Sequence, residues 1–211
     1  MSRIFAIGDI HGCFDKLVAL MELIDIDFKC DTLLFLGDYI DRGRDSKRVV
    51  EFMISLREKN PNTIFLKGNH EGMFLDYLNQ IDRFTFLYNG GRQTLDSYLR
   101  DPNRSKEGLI PLSHLRFFQS LHLYHETDDY IFVHAGLKEG VRLEDQDEKD
   151  LLWIRGDFIN SDFDFGKLVI FGHTPFKRPL VQKNKIGIDT GAVYGNRLTC
   201  LELPAMRFYS V

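Results

Sequence analysis

Five short apolar runs in this chain each end in polar residues that stand beside a glycine. With their endings, the runs are AIGDIHG, FLGDYID, FLKGNHE, FVHAG and VIFGHT. Short apolar runs that alternate with stretches of helical period are typical of an α/β domain. In open α/β sheets, ligand sites form beyond the carboxyl ends of the strands. If these strands are parallel neighbours, the five endings therefore converge on one cavity.

The same alternation predicts the order of helices and strands. Helices are predicted over 14–24, 46–59 and 71–79, with Ser46 as a candidate N-cap, and two more are predicted in NGGRQTLDSYLR and LSHLRFFQSL. The polar stretch between those two, RDPNRSKEG, is predicted to be a loop. Strands return in DYIFVHAG, KLVIFGHT and NKIGIDTG, and the tail RLTCLELPAMRFYSV predicts one or two more. Because we find no repeat or linker, residues 1–211 are predicted to form one domain.

Charge and cysteine content exclude several classes of protein. A net charge of −4 argues against general nucleic-acid binding, which usually needs a basic face. No stretch approaches the length of a membrane span, and the N-terminus reaches charged residues too early for a secretory signal. The three cysteines are odd in number and lack CxxC spacing, so neither a disulfide framework nor a thiolate zinc site is indicated. We therefore expect a cytoplasmic protein that binds neither nucleic acid nor membranes.

Eight polar residues at the five strand ends have the chemistry of metal ligands or their partners. They are Asp9, His11, Asp38, Asp41, Asn69, His70, His134 and His173. Carboxylates, imidazoles and an amide suit a divalent metal such as manganese, iron or zinc. There are enough ligands for two metals with Asp38 between them, and such pairs, about 3.5–4 Å apart, clamp phosphoryl oxygens and acidify a bound water. Placing these groups together without a cation would cost several kcal/mol.

Together, these blocks resemble the phosphoprotein phosphatase group of calcineurin-like metallophosphoesterases. The resemblance rests on GDIHG, GDYIDRG, GNHE, HAG and GHT, in this order and with helix-sized gaps. NGG at 89–91 and IDTGAVYGNRLT near the end are similar to the compact bacterial and phage members. The resemblance runs from Ile7 to about Leu201. It implies an α/β metallophosphoesterase fold of two packed, mixed β-sheets flanked by helices, with a dinuclear metal site at the carboxyl ends of the strands.

The resemblance also implies a role for each residue that matches the family's motifs. Asp9 and His11 would bind one metal, Asn69, His134 and His173 would bind the other, and Asp38 would bridge the two. His70 would be the general acid, with Asp41 paired to it. Arg42 and Arg155 would bind phosphate. Glu71 would either cap the start of its helix or support a metal ligand.

The implied activity is metal-dependent hydrolysis of phosphomonoesters, by direct attack of a metal-bridging hydroxide on phosphorus. Two divalent ions are the expected cofactors, with manganese as the first choice and iron or zinc as alternatives. We favour a serine/threonine protein phosphatase that acts on a phosphoprotein or phosphopeptide. The alternative is hydrolysis of diadenosine tetraphosphate and related dinucleoside polyphosphates.

The acidic stretch KEGVRLEDQDEKD, at 138–150, bears on the choice of substrate. If it borders the cleft, it disfavours highly anionic substrates and mildly favours peptides with basic flanks; otherwise it is a solvated loop. A third hypothesis, a binding scaffold with a degraded site, is disfavoured because every metal ligand and the pair His70 and Asp41 are present.

Overall fold

The computed structural model describes residues 2–102 and 108–211 as ten strands, eight α-helices and three other helical turns. The strands are β1 (Ile4–Ile7), β2 (Thr32–Phe35), β3 (Thr63–Phe65), β4 (Tyr124–Glu126), β5 (Tyr130–Val133), β6 (Leu168–Phe171), β7 (Leu180–Val181), β8 (Lys185–Gly187), β9 (Thr199–Leu203) and β10 (Arg207–Ser210). The helices are α1 (Phe14–Leu23), α2 (Ser46–Lys59), α3 (Asn69–Leu78), α4 (Phe84–Phe86), α5 (Arg92–Leu99), α6 (Leu112–Gln119), α7 (Glu148–Trp153) and α8 (Gly156–Ile159). The turns are Leu87–Gly91, Leu143–Asp145 and Ala192–Tyr194. Most of the loop predicted at 100–108 lies outside the described residues.

The strands form two five-stranded sheets, and each contains three adjacent parallel strands. In the first sheet the order is β10-β9-β1-β2-β3; β1, β2 and β3 are parallel, β9 runs antiparallel to β1, and β10 runs antiparallel to β9. In the second sheet the order is β4-β5-β6-β8-β7, with β5, β6 and β8 parallel and the two edge strands antiparallel to their neighbours. Both sheets are mixed, which confirms the fold that the resemblance implies. The five polar strand ends therefore belong to two sheets.

The two sheets pack face to face through alternate residues of their strands. Leu34 and Leu36 lie in the interface between the sheets, whereas Leu33 and Phe35 pack on the other side, against the helices. This alternation is the period of two that a strand imposes on its side chains. The interface combines Ala6, Leu34, Leu36, Leu66, Leu201 and Leu203 of the first sheet with Phe132, Ile170, Ile186 and Ile188 of the second. All of these residues are apolar, and the polar residues of the five blocks lie outside this interface, beyond the strand ends.

Amphipathic helices cover the outer face of each sheet. On the first sheet, α1 buries Leu17 and Leu20, which lie three residues apart on one face of the helix. On the second sheet, α7 and α8 contribute Leu151 and Phe158. Among the helices of the described ranges, none is both long enough and apolar enough to cross a membrane.

The cap of one helix and the start of another differ from the sequence prediction, although α2 has the predicted range 46–59, and both differences shape the polar end of the sheets. Helix α2 begins at Ser46 itself, so this residue is not the N-cap. The hydroxyl of Ser46 instead accepts a hydrogen bond from the backbone N–H of Asp41, at 3.2 Å. Helix α3 begins at Asn69 rather than at Glu71. Asn69 and His70 therefore stand in the first turn of a helix, whose backbone geometry sets the direction of their side chains.

Aromatic side chains connect α6 to the first sheet. The ring of Phe117 lies 5.4 Å from that of Phe65 and 5.7 Å from that of Tyr39. Phe65 stacks in turn on Phe35, with ring centroids 5.3 Å apart. The hydroxyl of Tyr39 donates to the carbonyl of Leu66 at 2.7 Å. This cluster therefore holds the loop after β2 against the end of β3.

Phe117→Ala is expected to lower the free energy of unfolding by about 3–5 kcal/mol, because it leaves a cavity among rings that cannot fully close around it. The matched control, Phe84→Ala, removes a ring that is 86% exposed and should change stability by less than about 0.5 kcal/mol. Urea denaturation followed by circular dichroism measures both values. Equal stabilities for the two variants would contradict the packing role of Phe117.

Candidate metal centre

The structure brings the eight polar residues of the strand ends together at one end of the two sheets. The first sheet supplies Asp9, His11, Asp38, Asp41, Asn69 and His70, and the second supplies His134 and His173. All eight are buried. Of the two arginines predicted to bind phosphate, Arg42 is half-buried and Arg155 is exposed. Because both sheets contribute side chains, neither sheet could form this cluster alone.

Left-handed backbone conformations are concentrated in this cluster. In the described ranges, the non-glycine residues with positive φ include His11 (46°), Asp38 (53°), Asp41 (71°), Arg42 (64°) and His173 (62°). Only two others, Gln80 and Met206, lie elsewhere among the described residues. Such conformations cost about 1–3 kcal/mol each and persist only where surrounding contacts hold them. The loops are therefore held in shapes that direct these side chains towards one another.

The carboxylate of Asp38 lies at the centre of the cluster. Its Oδ2 is 3.4 Å from Nε2 of His11 and 4.0 Å from Nε2 of His70. Its Oδ1 is 3.5 Å from Nε2 of His134. Burial alone would raise the pKa of Asp38, but the surrounding imidazoles, His134 foremost, hold it well below its usual range. The two oxygens of one ionised carboxylate therefore face two separate sets of histidines.

Two groups of potential metal ligands share this carboxylate. One group is His11, Asp38 and His70, the other is Asp38, His134 and His173, and within each group the ligand atoms lie within 4.8 Å of one another. The resemblance implies that Asp9 belongs to the first group, whereas the geometry places His70 there. Both carboxylate oxygens of Asp9 accept the backbone N–H of His173, at 3.1 Å. Asp9 therefore connects the loop after β1 to the loop after β6.

The histidines present nitrogen lone pairs to the centre. Nδ1 of His11 donates to the carbonyl of Ile40 at 2.8 Å. Nδ1 of His134 donates to the carbonyl of Leu36, also at 2.8 Å. Burial lowers the pKa of His11 to about 3 and also lowers that of His134, so both rings are neutral near pH 7. Each Nε2 is then an unprotonated nitrogen, the form that binds metals.

Lone pairs also meet at the amide of Asn69. Its Oδ1 lies 2.9 Å from Nε2 of His134 and 2.9 Å from Nδ1 of His173. Since Nε2 of His134 carries no proton, it and the amide oxygen are two acceptors that face each other, an unfavourable contact without a cation. Nε2 of His173 is buried and has no hydrogen-bond partner among the described residues. Convergent lone pairs from imidazoles, a carboxylate and an amide fit divalent metal ions.

Asp189 is a residue of this cluster that sequence reasoning missed. It follows β8, is buried, and accepts the N–H of Gly191 at 2.9 Å. Burial and the charge of Asp38 raise the pKa of Asp189 to about 6, although the hydrogen bond from Gly191 opposes this shift. Burial and the charges of Asp189 and Asp38 likewise raise the pKa of Asp9. The sequence carried a signal, because NKIGIDTG is a sixth apolar run that ends beside a glycine in a polar residue.

A chain of hydrogen bonds holds the imidazole of His70. Nδ1 of His70 lies 2.6 Å from Oδ2 of Asp41, and the hydroxyl of Thr94 donates to Oδ1 of Asp41, also at 2.6 Å. Burial would lower the pKa of His70, but the charge of Asp38 and the hydrogen bond to Asp41 outweigh it and raise the pKa. Thr94 is a second residue that sequence reasoning missed, and no local motif marks it. It reaches Asp41 from α5, a helix far away along the chain.

Glu71 connects the start of α3 to the loop that carries Asp38. Its Oε2 accepts the backbone N–H groups of Gly68 and Asp38, at 3.0 and 2.9 Å. Its Oε1 accepts the backbone N–H of Tyr39 at 2.9 Å. Both alternatives that the sequence left open are therefore present, since Glu71 caps its helix and also holds the backbone of Asp38.

Arg42 contacts the cluster at His11, and the charge of Arg155 acts on His134 and His173. Nη1 of Arg42 donates to Nε2 of His11 at 2.5 Å, and its backbone N–H donates to the carbonyl of Gly90 at 3.1 Å. Gly90 has a φ of 101°, and a Cβ atom there would stand 2.8 Å from Cγ of Arg42, so this close approach requires glycine. The pKa of the His173 imidazole is lowered to about 2, first by burial and then by neighbouring charges, which include the charge of Arg155.

The acidic stretch after the HAG block has much of its charge in ion pairs. Arg142 pairs with Glu144 and Asp145, at 3.2 and 2.9 Å. Lys67, which precedes the GNHE block, pairs with Glu148 at 2.6 Å. The stretch thus reaches the neighbourhood of the site, but its paired carboxylates present less negative charge to an anion than the sequence alone suggests.

Comparison with known proteins finds relatives along nearly the whole chain. A family model described as calcineurin-like phosphoesterase matches residues 2–195. The asymmetrical bis(5′-nucleosyl)-tetraphosphatase PrpE of Bacillus velezensis is 29% identical over an alignment 230 positions long, gaps included, which covers 97% of this chain and 90% of that protein. The protein of the same name from Oceanobacillus iheyensis is 28% identical over an alignment 238 positions long, which covers 99% of this chain and 92% of that protein.

Solved structures share the fold at lower sequence identity. A putative diadenosine tetraphosphatase superposes with a TM-score of 0.78 at 22% identity, over 100% of this chain and 93% of that one. The cold-active protein-tyrosine phosphatase of a psychrophilic Shewanella superposes with a TM-score of 0.73 at 19% identity, over 100% of this chain and 77% of that one. A protein serine/threonine phosphatase from Saccharomyces cerevisiae superposes with a TM-score of 0.66 at 20% identity, over 99% and 79%. One fold thus carries enzymes named for different substrates.

Glu71→Gln is expected to weaken manganese binding by about 10–100-fold, because an amide cannot accept all three backbone N–H groups that hold the loop of Asp38. The matched control, Glu148→Gln, removes a carboxylate that pairs with Lys67 at the surface, and it should bind manganese as the wild type does. Calorimetric titration of manganese into chelator-stripped protein measures the affinities, and thermal melts show that both variants are folded. Equal affinities in the two variants would contradict the supporting role of Glu71.

Proposed function

The chain belongs to the calcineurin-like phosphoesterase family, and we propose that it hydrolyses dinucleoside polyphosphates, with bis(5′-nucleosyl)-tetraphosphates as substrates. The observation that carries this proposal is the similarity to proteins named as asymmetrical bis(5′-nucleosyl)-tetraphosphatases, which spans 97% and 99% of this chain. It supports the alternative substrate class named from the sequence. The protein phosphatase hypothesis stays a prediction, and the assay below tests both.

The charges around the site also support a polyanionic substrate. Arg42 contacts His11 and the charge of Arg155 acts on His173, so both arginines can bind phosphate oxygens at the cluster. Arginine suits this task because its planar fork binds two phosphate oxygens at once. The acidic stretch, which would repel such a substrate, has much of its charge in ion pairs. The argument from the sequence for a peptide with basic flanks is weaker for that reason.

Two divalent metal ions are the proposed cofactors, and the donor set fits them. Asp38 would be shared, His11 and Asp9 would complete one position, and Asn69, His134 and His173 would complete the other. Manganese is proposed for both positions, with iron or zinc as alternatives. When bound, the ions supply positive charge to phosphoryl oxygens and lower the pKa of a bound water.

His70 is the proposed proton donor to the leaving oxygen. Its Nδ1 is occupied by Asp41, so Nε2 is the nitrogen that faces the centre, 4.0 Å from Asp38. The charge of Asp38 and the hydrogen bond to Asp41 raise the pKa of His70 against the effect of burial, which favours the protonated ring that a proton donor needs. Asp41, held by Thr94, fixes the orientation of the ring. Arg42 and Arg155 would bind the phosphoryl oxygens on which negative charge develops.

The proposed location is the cytoplasm. Cys13, Cys30 and Cys200 are free thiols, as is usual for proteins of a reducing compartment. This location would place the enzyme among nucleotides.

The manganese-reconstituted protein is expected to cleave diadenosine tetraphosphate with a kcat/KM at least about 100-fold above that for a phosphothreonine peptide, or about 2.7 kcal/mol of transition-state discrimination. Chromatography of the nucleotides and release of phosphate measure the two reactions, each with an EDTA control. The reverse preference would establish the protein phosphatase hypothesis and leave the metal centre unchanged.

His70→Asn is expected to lower kcat by about 10²–10⁴-fold on phenyl phosphate, whose leaving group needs a proton. On 4-nitrophenyl phosphate, which has a better leaving group, the loss should be much smaller. The control, His122→Asn, changes an exposed imidazole and should leave both rates unchanged.

Metal analysis separates the two roles that the geometry allows for His70. If His70 is a proton donor, the His70→Asn variant retains its metal. If His70 is instead a ligand in the group with His11 and Asp38, the variant loses metal and activity on both aryl phosphates. Retained metal with equal losses on both substrates would contradict the role in proton transfer.

A further inference from the structure

Two exposed aromatic rings stand beside the metal centre, one on each side. Trp153 is 40% exposed, and its ring lies 6.0 Å from that of His173, edge to face at 82°. Tyr194 is 63% exposed, and its ring centroid lies 5.7 Å from the guanidinium carbon of Arg42. The proposed hydrolysis uses neither ring. Aromatic rings at the rim of a polar site have the shape and chemistry of ligand contacts.

Trp153 is exposed although its backbone is firmly held. It ends α7, whose N-cap Asp147 accepts the N–H of Lys149. In the same helix, Leu151 is buried, and its carbonyl accepts the N–H of Ala135 at 2.9 Å, which joins the helix to the HAG block. The ring of Trp153 is therefore presented by a structured element at a defined place beside the site.

Tyr194 is presented by the short helical turn Ala192–Tyr194, which two left-handed glycines enclose. Gly191 has a φ of 71° and Gly195 a φ of 84°, conformations that favour glycine. The N–H of Gly191 donates to the carboxylate of Asp189 at 2.9 Å. The turn is thus anchored to a carboxylate of the metal centre.

Each ring is next to one of the two arginines. Tyr194 lies beside Arg42, which contacts the first side of the cluster. Trp153 is separated from Arg155 by one residue, and its ring lies against that of His173. Each ring can therefore bind a flat aromatic group while a nearby arginine binds phosphate. A polyphosphate with a nucleobase at each end has the same order of charge and aromatic surface.

We propose that Trp153 and Tyr194 determine specificity by stacking on the two nucleobases of a dinucleoside polyphosphate, a role that rests on the proposed function. Trp153 takes the base at one end, Tyr194 takes the base at the other, and the two arginines hold the phosphates between them. Stacking is tolerant of base identity because every base has a π-face. The pair therefore selects substrates with two bases over phosphopeptides, without discriminating strongly among the bases.

The first test uses the fluorescence of Trp153, the single tryptophan of the chain. Titration of the manganese-loaded protein with a methylene-bridged, non-hydrolysable diadenosine tetraphosphate is expected to quench this emission. Inorganic tripolyphosphate, which has no base, is expected to bind without quenching, with saturation established by calorimetry. Unchanged emission at saturation with the dinucleotide would overturn the role of Trp153.

The second test compares affinities. Trp153→Leu and Tyr194→Leu are each expected to raise the calorimetric Kd for the dinucleotide by about 5–150-fold relative to the Kd for tripolyphosphate. Trp153→Phe, which retains an aromatic face, should recover most of this loss. The control is Phe163→Leu, which changes a ring that is 41% exposed. Phe163 precedes β6, whereas His173 follows that strand. The ratio of the Kd for the dinucleotide to the Kd for tripolyphosphate should therefore equal that of the wild type.

The outcomes separate this proposal from the proposed function. Equal weakening of dinucleotide and tripolyphosphate binding in the leucine variants would overturn stacking, because it would mean that the rings only hold His173 and Arg42 in place. If the wild type cleaves diadenosine tetraphosphate and both leucine variants have the same KM for it as the wild type, only the stacking proposal is overturned. A wild type that hydrolyses the phosphothreonine peptide but neither binds nor cleaves the dinucleotide would overturn both.

Discussion

The carboxylate of Asp38, ionised and buried between two sets of imidazoles, is the interaction on which the rest of the structure depends. Its two oxygens lie 3.4 Å from His11 and 3.5 Å from His134, residues that belong to different sheets. A buried charge of this kind is stable only with compensating groups at short distance; since His11 and His134 are neutral, these groups are the backbone N–H of His70, 3.1 Å away, and the ring of His70, whose pKa is raised. The two sheets must therefore end at the same place, and Glu71 must hold the backbone of Asp38 where both sets can reach it.

The apolar interface between the sheets supplies this alignment. Alternate strand residues, such as Leu34 and Ile170, fix the two sheets face to face, and the parallel strands of each sheet then end on the same side. The loops beyond those ends adopt left-handed conformations at His11, Asp38 and His173, which the packing below them stabilises. Stability of the core and geometry of the metal centre are therefore linked through the strand ends.

Substrate choice resides in contacts outside this centre. The same ligand cluster suits phosphomonoesters and phosphoanhydrides, since both present phosphoryl oxygens to it. What differs around the site is the placement of cations and exposed rings. Arg42 and Tyr194 form one such pair, and Trp153, two residues before Arg155 in the sequence, lies beside His173. The ion pair between Lys67 and Glu148 removes negative charge that the sequence alone assigns to this surface.

The sequence by itself determined the α/β alternation, the metal-ligand chemistry and the positions of the polar strand ends, because these follow from periodicity and residue type within short segments. It did not determine that Asp9 bonds the backbone of His173, that Ser46 and Thr94 hold Asp41, or that Asp189 joins the cluster. Thr94 and Asp41 are separated by 53 residues, and Asp9 and His173 by 164, so no local pattern links them. Only the packing of two sheets and their helices decided these contacts, since it brings distant segments within hydrogen-bond distance.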